Sequence, residues 1–199
     1  WFENMGMFDE HGRALPGWDA IRDFDPKNPP IKELDKYIES LYEYEETPEV
    51  EDFMKLLMIH GNLISNPEFK DGFNNWQIET SLEERQYTLG KDGVFISSDA
   101  NFDYSISQTV DIEYTGEYIA AVEYRGTNTT GVEVELFMDV EDESGVHTYT
   151  SDIFPADVRF VTHLLKPVRL QKNARVTVGL RMHTPPVFAK IKKISLVVI

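Results

Sequence analysis

The chain has no cysteine. That excludes disulfide scaffolds, thiolate-bound zinc and cysteine nucleophiles, and it leaves the redox compartment open. Long apolar runs are missing too: stretches such as residues 56–59 and 196–199 fall far short of the ~18 residues that a membrane span requires. Basic residues are scarce, 19 Lys and Arg against 35 Asp and Glu, and the net charge is −16. This argues against a nucleic-acid binder, whose backbone contacts need positive surface. A last absence is local, for residues 158–199 contain no acidic side chain.

What remains is the composition of a soluble globular protein, 41% hydrophobic and 27% charged over 199 residues, enough for one domain or two small ones. The chain opens at Trp1 without the basic start and apolar run of a signal peptide, and reads as a piece of something longer. Its charge is unevenly spread. Residues 62–157 carry 20 acids and 4 bases, whereas residues 158–199 carry 9 bases alone. A basic tail often marks an anionic partner. Here the bases alternate with apolar residues, as in Arg175-Val176-Thr177-Val178-Gly179-Leu180-Arg181-Met182, which is strand patterning. The acidic middle and the basic end are therefore expected to interleave in antiparallel sheets, with opposite charges facing each other across strands.

Three regions separate along the chain. Residues 1–30 are rich in Gly and Pro and cannot form a core by themselves. Residues 31–61 follow helical spacing, first through Ile31, Leu34, Ile38, Leu41 and Tyr42. Thr47 and Pro48 then suit the start of a second helix with apolar positions Val50, Phe53, Met54, Leu57 and Met58, and Gly61 suits its end. From Asn62 onward the period is two. Strands are expected at about 74–80, 85–89, 104–112, 117–125, 132–140, 146–153, 158–165, 175–183 and 188–198, with turns such as Lys91-Asp92-Gly93 and Glu143-Ser144-Gly145 between them. Many short strands with no helix between them predict a mainly β protein, an antiparallel β-sandwich preceded by a helical hairpin.

Particular residues extend this reading. Asn62-Leu63-Ile64-Ser65-Asn66-Pro67-Glu68-Phe69-Lys70-Asp71-Gly72, with Trp76 soon after, resembles the N-L-x-x-N-P-x-F-E-x-G…W opening of jelly-roll carbohydrate-binding modules. Ile106-Ser107-Gln108-Thr109-Val110 with Gly116-Glu117-Tyr118, and Ile191-Lys192-Lys193-Ile194-Ser195-Leu196, resemble their middle and closing segments. At the other end, Trp1-Phe2-Glu3-Asn4-Met5-Gly6-Met7-Phe8-Asp9 and Gly12-Arg13-Ala14-Leu15-Pro16 resemble the stretch after the last barrel strand of glycoside hydrolase family 53 endo-β-1,4-galactanases. A jelly roll downstream of such an enzyme looks like carbohydrate-binding module family 61. The resemblance implies a barrel remnant at 1–30, a helical linker at 31–61, and at 62–199 a non-catalytic module that binds β-1,4-galactan and holds an attached galactanase on pectic polysaccharide. Such a protein is expected to be secreted or on the cell surface, and to be monomeric, with no nucleic-acid or membrane partner. Many relatives hold a structural calcium near these motifs. Here Lys70, Lys192 and Lys193 replace acids of the pattern, so no metal or other cofactor is expected, a lysine ammonium taking the cation's place.

A pyranose presents an apolar face of C–H groups and a rim of hydroxyls, so a galactan site combines aromatic rings with fixed polar groups. The axial O4 of galactose makes a β-1,4 chain coil, which suits angled platforms, and Arg, His and carboxylates near its hydroxyls give selectivity. Alternation supplies candidates. Glu123 and Arg125 share the face of their strand opposite Tyr118, Ala120, Val122 and Tyr124. Phe137 lies between Glu135 and Asp139 on an outward face, and Arg181 and His183 flank another on which Gly179 would leave room for a ligand. If these faces belong to one sheet, Glu123, Arg125, Phe137, Arg181 and His183 converge on one groove. Trp76, Tyr87, Phe102 and Tyr149 are the other aromatic candidates.

Plainer roles compete. Trp76 in this motif is more often a core residue than a platform, and Arg181 and Arg125 serve at least as well as partners of strand carboxylates. No Ser-His-Asp pattern, phosphate loop or metal spacing stands out. Two other functions stay open: a jelly-roll enzyme acting on pectic side chains, which would need paired carboxylates or a Tyr and Arg in the groove, and a structural spacer that binds no sugar.

Overall fold

In a computed structural model of the chain, the structure describes residues 48–83, 86–98, 101–127, 133–153, 157–183 and 188–199. The chain divides into two compact units, Trp1–Glu45 and Glu46–Ile199, and every described residue belongs to the second. The expected barrel remnant at 1–30 and the first helix of the hairpin lie outside the described residues.

The second expected helix is α1, Pro48–His60. Gly61 ends it with φ of 76°, a conformation that costs a residue with a Cβ, and its N–H closes on the Leu57 carbonyl at 3.0 Å. The apolar stripe is narrower than its spacing predicts. Val50 and Phe53 are buried, but Met54 and Met58 are exposed, because only one edge of the helix meets the sheet. Phe53 packs on Ala121 and Val197, with Leu56, Leu57, Ile119 and Leu164 around it, and its burial contributes roughly 1.5–3 kcal/mol.

The rest is a mainly β, two-layer antiparallel sandwich. In chain order the strands are β1 Gln77–Thr80, β2 Tyr87–Gly90, β3 Gly93–Ile96, β4 Tyr104–Asp111, β5 Gly116–Thr127, β6 Val134–Asp142, β7 Gly145–Asp152, β8 Asp157–Leu164, β9 Val168–Leu170, β10 Arg175–Met182 and β11 Phe188–Val198. One sheet has the order β1-β4-β10-β6-β7, the other β2-β3-β11-β5-β8, with β9 also on β5. The inward positions are those that alternation indicates: Tyr118, Ala120, Val122 and Tyr124 of β5, Val134, Leu136, Met138 and Val140 of β6, and Val176, Val178, Leu180 and Met182 of β10 form one core between the sheets. Two short strands, β3 and β9, are additional to those expected. Neither alternates over enough residues to show a period; β3 is Gly-Val-Phe-Ile, directly after the turn.

The motif residues fasten the two ends of the sandwich. The Asn62 amide donates to the Ile194 carbonyl and Ser195 Oγ, while its oxygen accepts from the N–H groups of Ile64 and Leu196. Gln108 bonds both backbone groups of Ser65, at 2.7 and 2.9 Å. Trp76 is buried against Phe69 and donates its indole N–H to the Asn66 carbonyl at 3.0 Å. These are structural tasks, which is why the motifs specify a fold more strongly than a ligand. The charge pattern also has its structural outcome: basic β10 runs between β4 and acidic β6, and basic β11 lies beside β5.

Candidate functional site

The five-stranded sheet turns one face to the core and the other outward. Cross-strand pairing sets four rows on the outward face, the last of them Asp111, Arg175, Glu141 and Val146 at one end. Glu79, Ser105, Arg181, Glu135 and Asp152 lie in register, then Gln77, Ser107, Gly179, Phe137 and Thr150, then Thr109, Thr177, Asp139 and Thr148. The middle of this face is built on Gly179. A Cβ there would meet the Ile106 carbonyl oxygen at 2.3 Å and the Phe137 ring at 2.8 Å. The space expected to admit a ligand is thus filled by Phe137, whose ring lies over the glycine and is only 3% exposed. On that ring rests Arg181, with its Cζ 3.8 Å from the ring centroid. Its Nη2 donates to Asp139 Oδ2 at 2.8 Å, and its Nη1 is 3.5 Å from Glu135 Oε2.

Phe137 is therefore the support of a guanidinium and not an open platform. The Thr148 hydroxyl donates to the other oxygen of Asp139 at 2.7 Å, and Thr109 and Thr177 share a hydrogen bond at 2.8 Å. Side chains of Arg181, Glu135 and Asp139 keep between a quarter and a third of their surface in water. The result is a fixed charged cluster on a floor of hydroxyls, with lone pairs and N–H groups turned outward. Such an array matches pairs of ligand hydroxyls, because its geometry is set before the ligand arrives. His183 continues the same face and lies 3.4 Å from Asp103 Oδ1.

The other candidates lie elsewhere. β5 belongs to the second sheet, so Glu123 and Arg125 are on the opposite outer surface of the sandwich and do not join Arg181. There Glu123 accepts from Lys192, and Arg125 lies against Phe160 and Phe188. Tyr149 pairs with Met138, the inner side of edge strand β7, and not with Phe137. Trp76 and Phe102 are core residues, and Tyr87 packs edge-on against Phe73 and beside Tyr104. Glu135 and Asp139 are site residues that sequence reasoning saw only as outward carboxylates; their parity with Phe137 was the available signal.

Neither a nucleophile nor a metal centre emerges among the described residues. Ser144 Oγ lies 2.7 Å from His147 Nε2 and 2.5 Å from Asp142 Oδ1 at the tip of the β6–β7 hairpin. A catalytic triad puts the carboxylate on the imidazole's far nitrogen, whereas here the hydroxyl sits between the two. No group of three or more His, Asp and Glu among the described residues is placed to hold a metal. Near the opening motif, Lys70 and Lys193 both approach Glu68, at 2.5 and 3.8 Å, and the Lys70 hydrogen bond holds the Glu68 carboxyl below its ordinary range. No described helix is long and apolar enough to cross a membrane.

No family model matches the chain, and no curated protein does. Solved structures do. TmCBM61 in complex with β-1,4-galactotriose aligns with a TM-score of 0.52 at 16% identity, over 69% of this chain and 99% of that one. The enzymatically active domain of bacteriophage CBA120 tailspike protein 4 aligns with a TM-score of 0.55 at 13% identity, over 69% of this chain but 21% of its own length. At such identities the likeness shows the fold, a β-sandwich of the kind found in carbohydrate-binding modules.

Proposed function

We propose that the chain is a non-catalytic carbohydrate-binding module that takes β-1,4-galactan on the outward face of β1-β4-β10-β6-β7. The observation that carries this is the Arg181 guanidinium, laid on Phe137 and held between Glu135 and Asp139. A hydroxyl-rich neutral ligand can accept from the guanidinium and donate to the carboxylates, and an analogue that lacks the matching hydroxyl leaves a polar group unpaired at a cost of ~1–3 kcal/mol. The galactan assignment draws on the motif resemblance, and the neighbour whose ligand is β-1,4-galactotriose supports it. The same resemblance supports an attached endo-β-1,4-galactanase, an extracellular setting, and action by proximity: tethering raises the enzyme's effective concentration at an insoluble polymer.

Affinity electrophoresis tests this. Galactan in the gel should retard the chain, whereas arabinan, xylan and cellulose should not; free migration through galactan would overturn the assignment. Incubation with galactan should release no reducing ends. The proposal includes a metal-free module in which the Lys193 ammonium stands where relatives hold calcium. A chelator should then leave the thermal midpoint unchanged, and a drop would contradict it.

A further inference from the structure

At one end of the sandwich two open clefts share a wall. One, about 490 Å³, runs along Asp111, Glu113 and Tyr114; the other, about 600 Å³, lies beneath Asp142 at the β6–β7 hairpin; Lys172 and Asn173 line both. Tyr114 is 72% exposed, the most exposed aromatic ring among the described residues. An exposed loop tyrosine ordinarily says little, but the backbone that carries this one is anchored. Its carbonyl accepts the Tyr118 hydroxyl at 2.7 Å. The facing loop is tied to it by Asn173 N–H on the Ile112 carbonyl at 2.7 Å and by Lys172 N–H on Thr115 Oγ1 at 3.0 Å. An aromatic ring presented to water from an anchored stretch of backbone offers a platform.

The groups around it are available. Among the described residues, the Asn173 carboxamide, the Lys172 ammonium and the Glu113 carboxylate have no hydrogen-bond or ion-pair partner. Across the second cleft, hydrogen bonds from the hydroxyl and N–H of Ser144 hold the Asp142 carboxyl below its ordinary range. The acids outnumber the single lysine, so an anionic ligand is disfavoured. They are also not grouped to hold a metal. What fits an aromatic face, an amide, an ammonium and separated carboxylates is a neutral ring bearing hydroxyls.

We propose that this end cleft is a second sugar site, stacking one pyranose on Tyr114 and bonding its hydroxyls through Asn173, Lys172 and Glu113. The inference rests on the reading of the chain as a sugar-binding module, but on none of the residues of the sheet face. Two sites on one module would raise avidity for any polysaccharide that reaches both.

The test is a titration of the ¹⁵N-labelled full chain with β-1,4-galactotriose, read by amide shifts. The amides of Tyr114, Lys172 and Asn173 should move and saturate with a dissociation constant of their own, separate from those of Ser105, Thr177 and Arg181. Tyr114→Ala should weaken the first set about tenfold without moving the second, and Tyr114→Phe, which keeps the ring, should restore it. Still amides at the end cleft, with saturating shifts on the sheet face, would overturn this proposal and leave the sheet-face reading standing. Saturation at the end cleft alone would keep it and remove the sheet-face assignment. No shift at either place would remove both.

Discussion

The two outer surfaces of the sandwich are built differently. On the six-stranded side, α1 covers part of the sheet, with Phe53 on Ala121 and Val197, and beyond it Arg125 lies among Phe160 and Phe188. On the five-stranded side the described residues place no helix, and the surface is hydroxyls, carboxylates, Arg175 near one end and the Arg181 guanidinium on a hidden ring. Both faces pair an arginine with phenylalanine. The difference lies in the carboxylates: Arg181 is fixed by Asp139 and Glu135, whereas the carboxylate next to Arg125 on its strand, Glu123, is engaged by Lys192. A cation that is oriented by anions and still wet is equipped to recognise hydroxyls; one pressed among rings is mostly packing.

Truncating the ring under Arg181 should break the contrast most severely. Phe137→Ala removes a buried ring over Gly179 and should cost ~3–5 kcal/mol in urea unfolding, with loss of galactan retardation as well. The matching change on the other side, Phe53→Ala, should cost a similar ~3–5 kcal/mol while the folded fraction binds galactan as before. If Phe53→Ala weakens binding instead, the two faces are not independent. Arg181→Ala should leave unfolding within ~1 kcal/mol, since ion pairs that stay partly in water contribute little, yet reduce galactan affinity by one to two orders of magnitude. Arg125→Ala should leave affinity unchanged, and a reversal of this pair would move the site to the six-stranded side.

The smallest expected effect sharpens the comparison at its margin. Glu68 titrates below its ordinary value of 4.5 because Lys70 hydrogen-bonds it. A carboxyl whose folded pKa is depressed contributes stability above its unfolded pKa and loses it as pH falls through the folded value. Glu68→Gln should therefore flatten the acid limb of stability below about pH 4.5 by a few tenths of a kcal/mol, while galactan binding at neutral pH is unchanged.

Much of this fold is readable from side-chain parity. Val176, Val178, Leu180 and Met182 alternate with Arg175, Thr177, Gly179 and Arg181, and the core takes the first set. Nine strands are visible that way; β3 and β9 are too short or too uniformly apolar to show a period. The site was legible only in pieces. Phe137, Arg181 and His183 share a face as expected, but Gly179 reads as room for a ligand until the neighbouring strand puts a phenylalanine ring over it. Tyr114 and Asn173 lie in loops, where no periodicity marks them, and their proximity depends on the hydrogen bond between Asn173 and Ile112.

Alternation along each strand is a local property of the backbone, with a period of two that any observer of the sequence can count. It determined which residues of this chain face inward, that opposite charges would meet, and that the architecture is β. Which outward faces lie side by side was decided by pairing among strands distant in the chain: β10 seats itself between β4 and β6, and β11 between β3 and β5. Glu123 and Arg181 have the same parity and opposite addresses for that reason. The absent acids of the last 42 residues carry the same lesson: the basic end takes its carboxylates from segments far earlier in the chain.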